Sequence, residues 1–163
     1  MLFPPHLIEE ARGLLAACRA RQIKICCAES CTGGLVTGLL TEIPGSSEIV
    51  DRAFVTYSNE AKMALLDIPA DLLKDYGAVS EEVAKAMAEG ALGHSLADIS
   101  IAITGIAGPG GGSKEKPVGT VCFGLAHKGG KTFTETKYFA DTGRQGIRLN
   151  AVEHAISLLL PVS

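Results

Sequence analysis

The sequence predicts an α/β protein, a three-layer α/β/α sandwich on a mixed, mostly parallel sheet of about five strands. Three observations lead there. Strand-like apolar runs alternate with segments of helical spacing along the whole chain. The run Ile99-Ser100-Ile101-Ala102-Ile103-Thr104 passes straight into a glycine-rich stretch, the form of a buried strand that ends at a loop. The runs Val118 to Ala126 and Thr132 to Phe139 are joined through Lys128-Gly129-Gly130. That is too short for the crossover of about a dozen residues that a parallel pair requires, so these two form an antiparallel hairpin.

From Pro4 to about Arg21, Leu7, Ile8, Ala11, Leu14, Leu15 and Cys18 recur at helical spacing among charged residues, giving an amphipathic surface helix. Ile23 to Ala28 reads as a buried strand. A second helix, over about Thr32 to Glu42, stops at Pro44-Gly45. Ile49 to Tyr57 is the next strand, and Asp51-Arg52 within it place it near an edge or a turn. A short helix with Met63, Leu65 and Leu66 follows, then a helical piece between Pro69 and Gly77. Ser80-Glu81-Glu82-Val83 has the form of a capped helix start, with Val83, Met87 and Leu92 toward the core. From about Gly143 a last helix sets Ile147, Ala151, Ala155, Leu158 and Leu159 on one side.

At 163 residues the chain reads as one domain spanning residues 1–163. It is 47% hydrophobic and 20% charged with a net charge of −3, the balance of a soluble, mildly acidic globular protein. Lysines and arginines are scattered and Trp is absent, so no nucleic-acid partner is expected. Cys18, Cys26, Cys27, Cys31 and Cys122 show no CxxC spacing, which argues against a disulfide framework or a zinc site and for reduced thiols. Neither a signal peptide nor a membrane span is expected, and the expected address is the cytoplasm. So apolar a composition suits a homo-oligomer.

Chemistry concentrates in three loops that follow strands: Glu29 to Gly34, Tyr57 to Lys62 and Gly105 to Gly119. In open α/β sheets ligands bind beyond the carboxyl ends of strands, so the three are expected to share one pocket. Ser30 stands on a tight strand-to-helix turn. A serine hydroxyl needs a base to become a nucleophile, and a lysine kept neutral by desolvation can serve. Ser30, Lys62 and Tyr57 as a proton relay form the candidate set, with the helix-start amides of Thr32 and Gly33 holding an oxyanion. Plainer readings stand beside these: Ser30 or Thr32 as a helix cap, Lys62 as a solvated helix lysine, Tyr57 as a half-buried strand aromatic. Cys31 is a rival nucleophile, with no histidine in these loops to assist it. The loop from Gly105 to Ser113 could wrap a phosphate, but it fits neither GxGxxG nor a P-loop, so ATP-driven chemistry is disfavoured. Arg144 and Arg148, four apart on one helix face, could grip a phosphate or simply form a solvated first turn.

Five motifs go further: Ala28-Glu29-Ser30-Cys31-Thr32-Gly33-Gly34, Phe54-Val55-Thr56-Tyr57-Ser58-Asn59-Glu60-Ala61-Lys62, Gly77-Ala78-Val79-Ser80, Thr104-Gly105-Ile106-Ala107-Gly108-Pro109 and Lys116-Pro117-Val118-Gly119-Thr120-Val121. In this order, and over nearly the whole chain, they resemble the CinA C-terminal domain family. The resemblance implies a nicotinamide-nucleotide amidohydrolase, which converts nicotinamide mononucleotide to nicotinate mononucleotide and ammonia, and a three-layer fold in agreement with the reading above. It implies Ser–Lys chemistry at Ser30 and Lys62 with Tyr57 assisting, an anchoring arginine at Arg144, and neither metal nor cofactor. Longer family members carry an N-terminal domain whose activity is not expected here. On this reading the substrate is a pyridine mononucleotide. Its phosphate lies by Arg144 and the loop from Gly105 to Gly112. Further contacts are expected from Glu29, whose charge suits a pyridinium ring, and from Thr32, Gly33, Asn59, Thr104, Gly105, Ala107 and Gly108. A non-catalytic nucleotide-binding or regulatory module is the competing reading, and an amidase for free nicotinamide a third.

Overall fold

The structure is a computed structural model, described over residues 1–160. In chain order the elements are α1 (Pro5–Arg21), β1 (Ile25–Glu29), α2 (Leu35–Thr41), β2 (Val50–Val55), α3 (Asn59–Leu66), α4 (Ala70–Tyr76), α5 (Glu81–Gly93), β3 (Ile99–Gly105), β4 (Thr120–His127), β5 (Phe133–Tyr138) and α6 (Gly143–Leu159). The sheet has five strands in the order β2-β1-β3-β4-β5. β1 runs parallel to both β2 and β3, while β4 is antiparallel to β3 and β5. One strand, β4, therefore opposes all the others, and the sheet is mixed and mostly parallel as the sequence predicts.

Strand alternation divides the core into two layers. Ile25 and Cys27 of β1, Ile101 of β3 and Phe123 of β4 face α1, α2 and α6 through Leu14, Leu39 and Val152. Cys26 and Ala28 of β1, Ala102 of β3 and Ala126 of β4 face α5, with α3 and α4 beside it, through Leu66, Leu73, Val83 and Met87. The second layer is built from small residues, which lets α5 lie against the sheet at backbone distance. A Cβ at Gly124 would sit 2.4 Å from the carbonyl oxygen of Ala84, so only glycine fits there.

Helix α2 starts at Leu35, later than the spacing predicts, because Gly33 and Gly34 take φ values of +57° and +99° and hold a non-helical turn. β2 lies at a sheet edge, where its charged residues placed it, and all five cysteines are buried and free. Among the described residues no helix is long and apolar enough to cross a membrane.

Candidate active site

Because β1, β2 and β3 are parallel, their carboxyl ends reach one edge of the sheet together. The reversal at β4 brings the end of β5, and with it the start of α6, to that same edge. A cavity of about 270 Å³ opens there. It is lined by Ser30 and Cys31 from the turn after β1, Tyr57, Asn59 and Lys62 from the β2–α3 segment, Thr104 to Gly108, Gly110 and Gly111 from the glycine-rich loop, and Arg144 from α6. Ala78 and Val79, from the turn between α4 and α5, complete the wall. Sequence reasoning gave these two no role because they carry no chemistry of their own, although both stand in one of the five motifs.

Lys62 is almost wholly buried, at 1% exposure, and Ser30 nearly so at 7%. The Lys62 amine lies 3.1 Å from Ser30 Oγ and donates to the Thr56 carbonyl at 2.8 Å. Among the described residues no carboxylate forms an ion pair with it, and burial pushes its pKa below the ordinary lysine range. A neutral amine here keeps a lone pair that can accept the Ser30 hydroxyl proton, which is the arrangement a serine nucleophile requires. The Cys31 thiol beside it is pushed up to about 12 by burial and stays protonated at neutral pH, which disfavours it as the rival nucleophile.

The turn around Ser30 differs from expectation. Neither Ser30 nor Thr32 caps α2. Instead the fully buried carboxylate of Glu29 accepts hydrogen bonds from the N–H groups of Gly34, Val36 and Thr37 at 3.0–3.2 Å, and from the Thr37 hydroxyl at 2.7 Å. Glu29 is thus turned under the helix and does not line the cavity, which corrects its reading as a substrate contact. Its parity with Cys27 sends it to the α2 side of the sheet. The amides of Gly34, Val36 and Thr37 are consequently occupied and free to hold nothing else. Gly33 N–H is also engaged, donating to the Ser30 carbonyl at 3.0 Å, and the Thr32 side chain is fully buried away from the cavity. Among the described residues, the amides of this turn that donate to no protein acceptor are those of Cys31 and Thr32.

The α6 part of the cavity wall carries a cation. Arg144 donates to the Gly108 carbonyl and to the Tyr57 hydroxyl, both at 2.8 Å, and the amides of Ala107, Gly108, Gly110 and Gly111 donate to no protein acceptor among the described residues. Such a loop, with an arginine beside it, can hold an anion. Tyr57, 61% exposed, makes no hydrogen bond with Ser30 or Lys62, so it stands at the rim rather than in a relay between them. Thr104 donates to the Ala78 carbonyl at 2.8 Å and so ties the glycine-rich loop to the α4–α5 turn. Asn59 lies on the wall nearest Lys62 in sequence. Arg148 does not join Arg144 in the cavity. Its guanidinium donates to the carbonyls of Cys31 and Thr32, at 3.0 and 3.2 Å. The pairing of the two arginines on one anion is thereby corrected.

The family model of the CinA C-terminal domain matches residues 9–162. A nicotinamide-nucleotide amidohydrolase PncC of Enterobacter agglomerans is 48% identical over 145 residues, 89% of this chain and 88% of its own length. A CinA-like protein of Akkermansia muciniphila is 48% identical over 86% of this chain but 34% of its own length. The chain spans only 33–37% of the first curated relatives it matches. Among solved structures, the competence/damage inducible protein CihA of Agrobacterium tumefaciens superposes with a TM-score of 0.96 at 46% identity, covering 98% of this chain and 97% of that one. A CinA superfamily protein of Escherichia coli gives 0.89 at 37% identity, covering 94% and 88%.

Proposed function

Because the chain belongs to the CinA C-terminal domain family, we propose that it hydrolyses the carboxamide of nicotinamide mononucleotide to nicotinate mononucleotide and ammonia, a step of pyridine-nucleotide salvage. The observation that carries this reading is the 3.1 Å contact between Ser30 Oγ and a buried lysine amine in the wall of a cavity that Arg144 and the glycine-rich loop also line.

Ser30 Oγ attacks the carboxamide carbon while its proton passes to Lys62 Nζ, and the carbonyl electron pair moves onto oxygen. Collapse of that tetrahedral species breaks the C–N bond, and Lys62 returns the proton to the leaving nitrogen, which departs as ammonia. Water then adds to the acyl-serine, its proton taken by Lys62 and handed back to Ser30 Oγ as the acid leaves. The substrate phosphate lies against Arg144 and the loop amides, away from the reacting carbon, and fixes the orientation of the ring. Among the described residues no carboxylate lines the cavity, so the pyridinium charge is met by the substrate's own phosphate and by carbonyl oxygens rather than by an acidic side chain.

The test is ammonia release by the purified chain from the mononucleotide, the riboside and free nicotinamide. Release from the mononucleotide in preference to the other two, lost by about 10³-fold or more in Ser30→Ala, is the expected result. Binding of the mononucleotide with no ammonia from any of the three would instead identify a non-catalytic module.

A further inference from the structure

Arg148 lies outside the cavity, and its guanidinium donates its hydrogen bonds to backbone carbonyls of the turn that carries Ser30. Among the described residues it has no carboxylate within ion-pair distance. Resting on the reading above, we propose that Arg148 is a positioning residue that sets and polarises the oxyanion donors of the reaction, the backbone N–H groups of Cys31 and Thr32.

The argument follows the peptide planes. In a trans peptide the carbonyl and the N–H of one plane point in opposite directions, so fixing one edge fixes the other. Arg148 Nε holds the Cys31 carbonyl and thereby aims the Thr32 N–H of the same plane away from itself. Its terminal nitrogen holds the Thr32 carbonyl, and the N–H of that plane, Gly33, donates to the Ser30 carbonyl. This in turn fixes the Ser30–Cys31 plane, whose opposite edge carries the Cys31 N–H. Three successive planes are locked in one chain of hydrogen bonds. What the chain leaves unpaired is the pair of amides immediately after the nucleophile, and Cys31 lines the cavity. With the α2 amides occupied by Glu29, these are the donors the turn has left for an oxygen that acquires charge.

A guanidinium on the carbonyl side also polarises each amide it touches, making its N–H a stronger donor. The cost of the arrangement is visible at Gly33. A Cβ there would approach the Arg148 guanidinium to 3.2 Å, tighter than ordinary contact, and φ is +57°, so a larger residue would strain the turn and crowd the arginine.

The experiment compares wild type, Arg148→Met, Arg148→Lys and Ser30→Ala on two readouts: ammonia release from the mononucleotide, and the rate at which a small fluorophosphonate labels Ser30. Arg148→Met is expected to lower kcat about 100-fold, the scale of a lost oxyanion donor, with KM changed less than about threefold. Labelling of Ser30 should fall in parallel, because the reagent's P–O oxygen uses the same donors. Arg148→Lys should recover only part of the loss, since one ammonium cannot hold two carbonyls in the fork geometry. Millimolar guanidinium chloride should restore a measurable share of the rate to Arg148→Met but not to Ser30→Ala, a response that a merely unfolded variant does not give. Wild-type kcat in a folded Arg148→Met, or a loss carried wholly by KM, overturns the proposal. If wild type labels at Ser30 but releases no ammonia, the substrate reading fails while the labelling rates still judge Arg148. If wild type fails to label, the proposal falls with it.

Discussion

Arg144 and Tyr57, 87 residues apart, meet at 2.8 Å across the mouth of the cavity, the guanidinium donating to the phenol oxygen. The contact joins the start of α6 to the segment that follows β2, and it separates two roles that the sequence left merged in Tyr57. On the proposed mechanism its hydroxyl serves the anion end and not the serine. Tyr57→Phe should therefore lower kcat by less than about tenfold, the scale of one ordinary hydrogen bond, whereas a relay role would cost far more. Steady-state ammonia release decides between the two.

Arg144→Gln removes a charge-assisted donor from the anion end. KM for the phosphorylated substrate should rise roughly 10- to 100-fold, with kcat changed much less and turnover of the riboside hardly affected. A kcat loss equal for both substrates would place Arg144 in the chemistry instead.

On the proposed mechanism Lys62 should set the pH dependence. Its folded pKa is depressed by burial, so between that value and the unfolded value of about 10.4 the folded state binds fewer protons than the unfolded one. Stability contributed by this site therefore increases with pH across that window and levels off above it. Wild type should gain in urea stability relative to Lys62→Met as pH is raised from 7 toward 10. The rate should climb through the same depressed pKa, as the amine loses its proton, and Lys62→Met should lose about 10³-fold or more in kcat at every pH.

Glu29→Gln should be a stability variant. One carboxylate accepts three backbone N–H groups and a hydroxyl in the first turn of α2, and an amide cannot satisfy them all. A loss of about 1–3 kcal/mol in chemical denaturation at pH 7 is expected, since hydrogen bonds to charged groups are worth about that. KM for the pyridinium substrate should stay within about threefold of wild type, unlike the outcome for a carboxylate in contact with the ring.

Gly124→Ala should cost about 1–3 kcal/mol or more, because its Cβ would lie 2.4 Å from the Ala84 carbonyl oxygen and α5 would have to lift from the sheet. Thermal melts of the two proteins measure it. Since Val79 and Ala78 precede α5 on the cavity wall, a rise in KM should accompany the loss.

Much of this was legible in the sequence, and the reasons differ by residue. The strands and helices announced themselves by period, and the short Lys128-Gly129-Gly130 connection forced the hairpin. Ser30 and Lys62 could be paired because each follows a strand that ends at the same edge. Glu29 was misread because residue type says nothing of direction. Its parity with the inward-facing Cys27, together with Thr37 one helical turn into α2, was the available signal. Arg148 was misread for a related reason. Four residues along a helix keep a side chain on the same face, but one turn further along the axis is enough to carry it past the cavity and behind the serine turn.

The reversed strand β4 has a consequence for the protein's synthesis. Ser30 and Lys62 lie within the first 62 residues, while the arginines at 144 and 148 arrive only after the hairpin has turned the chain around. A nascent polypeptide still held on the ribosome short of α6 therefore has Ser30 in a turn without its Arg148 contacts and a cavity wall without Arg144. On the proposed mechanism a chain cut short at that stage should release no ammonia, and turnover should wait for the last helix to emerge and dock.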